Sequence, residues 1–431
     1  MLERLFRLRD HDTGVGRELL AGATTFLTMA YIVVVNPDIL ADAGMDRGAV
    51  ITVTILAAAL GTLLAGLWAN VPYAMAPGMG LNAFFAYGLV LGEGVAWPTA
   101  LGVVMVSGVV FLALTVVGFR RHVVAAIPEE LRLAIGGGIG LFIALIGLQK
   151  LGLVVADEAT MIGLGPLTAT VVLGLAGLVI TLVLHARRVP GALLLGIAAT
   201  AGLGMAAGQA DPPAGLVGLP ADPSPVLLKL DIAGALAWGM LGAVFSFMFI
   251  DLFDSLGTIV ACSYEAGRVR DDGRIDGLER VLEADAVATV AGALLGTSTT
   301  TTYIESGAGI AAGGRTGLAA VATALLLLAT LLLTPLIVAV PPFATAPALL
   351  MVGVLMFRNV ARVDFGRFET AAPAFLTMVL MPLTYSIATG LAFGFVAHVV
   401  AMTAVGRARE VHPVMWAIAA LSVASIVLAA G

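Results

Sequence analysis

The sequence predicts an all-α polytopic membrane protein with about fourteen transmembrane segments, arranged as two inverted repeats of seven. The first observation is composition: of 431 residues, 60% are hydrophobic and only 12% are charged, and the mean hydropathy is +1.05. A soluble chain carries about a quarter charged residues. The second observation is length, because apolar runs of about twenty residues recur and match the thickness of a hydrocarbon core. The third is the distribution of arginine and lysine between the connecting loops.

Hydropathy places seven spans in each half of the chain. They lie near residues 18–40, 49–69, 78–92, 97–118, 131–153, 166–186 and 190–208, and near 235–261, 279–297, 304–313, 316–340, 345–361, 370–386 and 388–405. The predicted divisions are a cytoplasmic N-terminal segment (1–17), a first inverted repeat (18–208), an extracellular connector (209–234), a second inverted repeat (235–405) and a tail (406–431). The tail contains one further apolar stretch, either an extra span or an interfacial helix.

The basic residues support this topology. With the N-terminus in the cytoplasm, nineteen of the 22 basic residues fall on the cytoplasmic side, and only Arg47, Lys150 and Lys229 fall outside. Such an excess of arginine and lysine is typical of cytoplasmic loops. Met1–Arg17 is basic and amphipathic without a small-residue cleavage site, so we expect a cytoplasmic lead-in to the first span rather than a signal peptide. The expected location is the cytoplasmic membrane.

Two broken, polar segments occupy the third position of each repeat: Pro72–Ala83 in the first and Ser298–Gly317 in the second. Each has an extended or proline-interrupted stretch, then glycines, then a short apolar helix. Such segments are tolerated at membrane depth only where they line a cavity or are buried in protein. An odd number of spans per half makes the two segments enter from opposite faces, so their helix N-termini converge and present free N–H groups to a ligand.

Three carboxylates are predicted to lie deep in the membrane: Asp251, Asp254 and Glu305. Each costs about 2.5–3.5 kcal/mol at a helix centre, which points to a function. The alternative for any one of them is capping of exposed backbone N–H groups in a broken helix. Because no basic residue is predicted at that depth, the carboxylates must be protonated, bind a cation or meet a ligand rich in donors. Proton coupling fits, and so does a neutral heterocycle with N–H donors beside carbonyl acceptors.

The remaining polar positions are weaker signals. Asn82 follows the broken start of span 3 and could reach the site through its amide, with helix packing as the alternative. The acidic run Asp271–Asp285 lacks calcium-loop spacing and predicts a solvated cytoplasmic loop leading into an amphipathic helix. The single cysteine, Cys262, excludes a disulfide framework and a multi-cysteine metal site, so we expect no metal and no cofactor. A net charge of -6 gives no reason to expect a nucleic-acid partner.

Four stretches resemble, in this order, the AzgA-like purine permeases, a branch of the nucleobase–cation symporters (the xanthine/uracil permease superfamily). They are Thr25–Pro37, Ala76–Ala83, Asp251–Thr258 and Thr302–Gly309, and the resemblance runs from Leu8 to about Val414. It implies a fold divided into a core domain and a gate domain. It also implies short strands in the broken spans 3 and 10, with the base bound beside them.

The resemblance also implies roles for individual residues. Glu305 would hold the base through its N–H groups, Asp254 would take part in substrate binding, and either could carry the coupling proton. The other motif residues that would line the substrate site are Asn82, Ala76, Gly78, Tyr303 and Ser306. Thr258 stands where uracil-type relatives carry a histidine, which favours a purine over uracil or xanthine. Asp251 would instead stabilise the broken region.

These features predict a secondary active transporter, not an enzyme, that takes up purine bases (hypoxanthine, guanine, adenine) with protons by alternating access. Its partners are then the base, the proton and the bilayer, with a homodimer left open. The alternatives are a permease for uracil, xanthine or another nucleobase, an anion carrier of the sulfate-permease type and, from another class, a channel or an intramembrane enzyme. An anion carrier would want a positive site, and an enzyme would need clustered ligands or a nucleophile–base pair.

Overall fold

The computed structural model describes residues 2–117, 127–270 and 274–430, which are mostly helical. Within these ranges, nine helices are long and apolar enough to cross a membrane. They are span 1 (Val15–Asp42), span 2 (Arg47–Leu67), span 4 (Trp97–Val117), span 5 (Glu129–Leu151), span 6 (Ala169–Ala186), span 8 (Trp238–Glu265), span 11 (Gly317–Val338), span 12 (Pro342–Arg362) and span 14 (Ile387–Ala404). Residue 118, the predicted end of span 4, lies outside the described ranges. So do residues 271–273, the beginning of the acidic run.

Five shorter or more polar helical segments complete the predicted fourteen. They are span 3 (Met79–Gly92), span 7 (Ala192–Ala206), span 9 (Leu278–Leu295), span 10 (Ser306–Ala311) and span 13 (Phe368–Leu383). A further helix in the tail, Pro413–Ala430, packs against span 14. The predicted fold class is therefore confirmed. The hydropathy pattern did not predict one feature, an antiparallel hairpin of strands β2 (Val154–Asp157) and β3 (Met161–Leu164) between spans 5 and 6.

The spans pack in two groups. Spans 1 to 4 contact mainly spans 8 to 11, and spans 5 to 7 contact mainly spans 12 to 14. Each half of the chain thus contributes its first four spans to one group, the core, and its last three to the other, the gate. Small residues allow close contact inside the gate, because a Cβ atom on Gly140 of span 5 would lie 2.8 Å from the carbonyl oxygen of Gly353 in span 12.

A two-stranded antiparallel ladder lies inside the core. Strand β1 (Met75–Pro77) precedes the helix of span 3, strand β4 (Thr300–Thr302) precedes span 10, and Ala76 pairs with Thr301. β-branched threonines favour this extended conformation, and a proline is tolerated because the ladder has two edges. Thr62 of span 2 satisfies the outer edge of β1: its hydroxyl donates to the Met75 carbonyl and accepts from the Met75 N–H, both at 3.0 Å. The predicted strands of the broken spans are confirmed.

Candidate substrate site

The helices of spans 3 and 10 both begin at the strand pair. Since β1 and β4 are antiparallel, the helix that follows each strand leads away from the pair in the opposite direction. Two helix N-termini therefore lie near one another, with their backbone N–H groups and the positive ends of their dipoles directed at the same region. This geometry, which transporters of this kind use to hold a substrate, is the framework of the candidate site.

Glu305 lies immediately before the helix of span 10 and is half-buried. Its Oε1 atom accepts a hydrogen bond of 2.7 Å from the hydroxyl of Tyr31, and its backbone carbonyl accepts one of 3.3 Å from the hydroxyl of Thr28. Both donors belong to span 1, which is interrupted between its helices Val15–Met29 and Ile32–Asp42. Sequence reasoning missed Tyr31, which lies in that interruption.

Asp254 lies on span 8, close enough to Glu305 for the two charges to interact. It is half-buried and receives no hydrogen bond from any residue that the structure describes. Tyr303 is near both carboxylates, although its hydroxyl is already donated to the Pro77 carbonyl at 2.6 Å. Thr258 follows Asp254 by one turn on the same helix and is also half-buried. The structure thus brings two carboxylates and a tyrosine close together, with Thr258 one turn from Asp254 on the same helix.

The other predicted site residues belong to the framework around the strands. Asn82 is buried, and its Oδ1 atom accepts a hydrogen bond from the hydroxyl of Ser298. Ser306 accepts a hydrogen bond of 2.9 Å from the N–H of Ala74. Gly78 donates its N–H to the carbonyl of Thr299, and Ala76 lies within β1. Within the described residues, no contact between any of these side chains and Asp254 or Glu305 is found.

The sequence predicts a solvated acidic loop that extends to Asp285, and for Asp285 this prediction is wrong. This residue lies two turns inside the helix of span 9 and is fully buried. Its carboxylate accepts hydrogen bonds from the Ser255 hydroxyl (2.6 Å), the Thr302 N–H (2.9 Å) and the Thr302 hydroxyl (3.0 Å). The prediction of only three deep carboxylates is therefore wrong. The missed signal was helical spacing, since Asp285 lies four residues from the buried Val281 and Thr289.

Asp251 is also fully buried, behind the strand pair. Its Oδ2 atom lies 3.2 Å from the hydroxyl of Thr289, whose single hydrogen is shared between this carboxylate and the Thr300 carbonyl at 3.1 Å. The same hydroxyl accepts a hydrogen bond of 3.3 Å from the Thr300 N–H. Its Oδ1 atom has no partner among the described residues. Asp285 therefore holds β4 directly and Asp251 is linked to it through Thr289, and both are fully buried, whereas Asp254 and Glu305 remain partly accessible.

The accessible face of span 8 leads away from the carboxylates toward one end of the protein. Beyond Asp254, the exposed residues are Gly257, Ala261, Tyr264 and Glu265, and Arg268 follows. Small and polar residues dominate this face, which is typical of a water-lined path rather than a lipid surface. In the other direction, Phe247 and Phe249 are fully buried, and Phe249 packs edge-on against Phe395 of the gate at 5.5 Å. The accessible residues next to the site thus lie toward the end that carries Arg268, which we call the Arg268 end.

The opposite end, which we call the Lys150 end, is closed by polar contacts between core and gate. Lys150 of span 5 forms an ion pair of 2.7 Å with Asp42 of span 1, which also accepts a hydrogen bond of 2.5 Å from the hydroxyl of Tyr87. A second contact joins the hydroxyl of Thr345 in span 12 to Asp38 at 2.8 Å. Together these contacts hold spans 1 and 3 of the core against spans 5 and 12 of the gate.

Comparison with known proteins decides the class of this site. The Permease family (Xan_ur_permease) matches residues 16–393 of the chain. The chain belongs to the xanthine/uracil permease family. Its members are permeases and not enzymes, and together with the apolar helices this makes the protein a multi-pass membrane transporter.

Relatives of this permease are similar over nearly their whole length. The adenine permease AdeQ of Escherichia coli is 43% identical over 99% of this chain and 96% of its own. The guanine/hypoxanthine permease PbuG of Bacillus subtilis is 42% identical over 96% of this chain and 97% of its own. Among solved structures, the transmembrane domain of a cyanobacterium bicarbonate transporter, BicA, has a TM-score of 0.65 at 15% identity, covering 88% of this chain and 97% of that domain. This last likeness shows the fold alone.

Proposed function

We propose that this permease takes up purine nucleobases together with protons across the cytoplasmic membrane. The observation that carries the proposal is the pair Asp254 and Glu305, two neighbouring, partly accessible carboxylates beside two helix N-termini. Within the described residues, neither forms an ion pair with a basic side chain. The names of the similar adenine and guanine/hypoxanthine permeases support a purine as the substrate.

The hydrogen-bond donors and acceptors of a purine base match those that the site offers. A purine base presents ring and exocyclic N–H donors beside nitrogen or carbonyl acceptors. The carboxylate of Glu305 offers acceptors, and the N–H groups of Met79 and Gly80 at the start of span 3, which reach no other backbone group in the described part of the chain, offer donors. Tyr303 and Thr258 would line the space between the carboxylates and the base. Asn82, Ala76, Gly78 and Ser306 would shape the same space from the strand framework, which supports a rigid rather than an adaptable pocket.

Proton coupling is the second part of the proposal. Two ionised carboxylates that lie close together repel one another, and within the described residues neither forms an ion pair, so moving the site through a low-dielectric passage is costly. A proton on Asp254 or Glu305 removes one charge and lets the occupied site change its exposure. An anion would add to this repulsion, which argues against the carrier of the sulfate-permease type despite the shared fold.

The transport movement would be a displacement of the core relative to the gate. The accessible path toward the Arg268 end and the contacts at the Lys150 end are the features expected when one side is open and the other closed. The excess of basic residues on the side of the N-terminus supports a cytoplasmic N-terminus and a site open to the cytoplasm. The homodimer remains a prediction. It can be tested by measuring the molar mass of the purified protein in detergent.

The decisive experiment is uptake of labelled hypoxanthine, adenine and guanine by cells that lack their own purine permeases. We expect at least one purine to accumulate, the uptake to collapse when a protonophore removes the proton gradient, and unlabelled purines to compete better than uracil. Replacement of sodium by potassium should leave uptake unchanged. Competition by uracil or xanthine in preference to all three purines would favour the alternative nucleobase permease. Absence of uptake of every base would overturn the function.

A further inference from the structure

Span 1 is interrupted beside the candidate site. Its first helix ends at Met29, its second begins at Ile32, and Tyr31 lies between them with only 2% of its surface exposed. A bulky side chain in a helix interruption is free to point across the helix axis toward a neighbouring segment. Here the neighbouring segment is span 10.

The hydroxyl of Tyr31 donates its hydrogen bond to Glu305 Oε1 at 2.7 Å. The other oxygen, Oε2, receives no hydrogen bond from another residue in the described part of the chain. A carboxylate at the end of a flexible side chain can rotate about its terminal bond, and a hydrogen bond to one oxygen removes that freedom. One oxygen of Glu305 is therefore held by the protein and the other is left for a ligand.

The distance between span 1 and span 10 is itself fixed by close packing. A Cβ atom on Gly309 of span 10 would lie 2.0 Å from Thr25 Oγ1 and 2.6 Å from the Ala21 carbonyl oxygen, so only glycine permits this approach. Gly309 is four residues beyond Glu305, one turn along the same short helix. This close contact between spans 1 and 10 therefore fixes the distance between the Tyr31 hydroxyl and the Glu305 carboxylate.

We propose that Tyr31 is a positioning residue of the substrate site, which orients the Glu305 carboxylate so that its free oxygen accepts an N–H of a neutral heterocyclic base. The inference rests on the proposed function and gives a role to a residue of the Thr25–Pro37 stretch that the sequence analysis left without one. Tyr31 acts through Glu305 and does not itself contact the base. Its contribution is therefore the same for every base that binds Glu305.

The test is the variant Tyr31→Phe, which keeps the ring and removes only the hydroxyl. Initial rates of uptake of hypoxanthine, adenine and guanine give KM and Vmax, normalised to the amount of protein in the membrane. We expect KM to rise about tenfold for each transported base, with Vmax within about twofold, because a hydrogen bond to a charged group contributes strongly to orientation. The matched control is Thr24→Val, which removes a hydroxyl of the same span that donates to the Leu20 carbonyl at 2.9 Å, and it should leave KM within about twofold.

Binding to the purified protein provides a second measurement that does not depend on transport. The base concentration for half-maximal thermal stabilisation should rise by the same factor in Tyr31→Phe and stay near the parent value in Thr24→Val. An unchanged KM in Tyr31→Phe, or a loss of Vmax at constant KM, would overturn the positioning role while the proposed function stands. Unequal changes among the bases would also overturn it, because they indicate direct contact. A parent protein that neither transports nor binds any purine would overturn both.

Discussion

The ion pair at the Lys150 end gives a quantitative prediction about the closed side of the permease. Lys150 Nζ lies 2.7 Å from Asp42 Oδ2 and 3.1 Å from the Asp38 carbonyl oxygen, with 13% of the lysine side chain and 37% of the Asp42 side chain exposed. Fully exposed ion pairs contribute about 0.2–1 kcal/mol, and hydrogen bonds to charged groups about 1.5–3 kcal/mol. We therefore expect Lys150→Met to weaken the closure by about 1–2 kcal/mol, a factor of about 5–30 in the population open at this end.

Thiol labelling measures that population. The only cysteine of the chain is Cys262, which is buried, so Cys262→Ala with Ile304→Cys places a single reactive thiol next to Glu305. Ile304 is 54% exposed on the path toward the Arg268 end. In sealed vesicles, a membrane-impermeant thiol reagent added on the side of the Lys150 end should react about 5–30 times faster in the Lys150→Met background. Reaction from the other side should change little, since that path is already open.

The matched control is Lys229→Met, because Lys229 is exposed, is predicted on the same side and forms no ion pair in the described part of the chain. It should leave the labelling rate unchanged. Equal labelling rates in the parent and in Lys150→Met, with both proteins present in equal amounts, would refute the closure by this ion pair. Faster labelling with Lys229→Met as well would show that a loss of surface charge, and not the ion pair, controls access.

Three further predictions concern the carboxylates and the strand framework. Glu305→Gln should abolish uptake of labelled hypoxanthine. Asp254→Asn should either abolish this uptake or remove its dependence on pH. Parent-like, pH-dependent uptake in both variants would contradict the proposed mechanism. Asp285→Asn should lower the melting temperature of the purified protein by about 2 °C or more, because an amide offers one acceptor oxygen to three donors, among them the Thr302 N–H; an unchanged melting temperature contradicts this. Asn82→Ala should lower hypoxanthine uptake as Glu305→Gln does, more than any substitution in a loop, and normal uptake would remove Asn82 from the site.

The parts of the fold that could be predicted are those with a local chemical cause. The strand at Met75–Pro77 follows from a proline that cannot continue a helix, and the strand at Thr300–Thr302 follows from three β-branched residues. Fourteen spans follow from hydropathy and from the side on which arginines fall. Each of these signals lies within a few residues of the element it predicts.

The parts that could not be predicted depend on neighbours distant in sequence. The interruption of span 1 at Tyr31 contains no glycine or proline; Pro37, six residues further on, disturbs the turn that begins at Val33 but does not mark Tyr31 itself. Its partner, Glu305, is 274 residues away. Asp285 was assigned to a charged loop because the preceding residues are acidic and basic. Its spacing from Val281 and Thr289 indicates burial, but its partners Ser255 and Thr302 are distant in sequence and could not be predicted. The site carboxylates were recognisable, but the residues that orient them were not.

A division of labour among the four carboxylates follows from their hydrogen bonds. A strand pair inside a membrane protein needs a partner for every buried backbone group, and Asp285 supplies this for β4 while Asp251 acts through Thr289. Asp254 has no such partner, and Glu305 has a side-chain donor on only one oxygen. Asp285 already accepts three hydrogen bonds, and Asp251, although its Oδ1 has no partner among the described residues, is fully buried, so neither is available to a ligand. Asp254 and Glu305 are partly unsatisfied and accessible, so a donor-rich base or a proton can satisfy them. Hence the first pair should determine stability and the second transport.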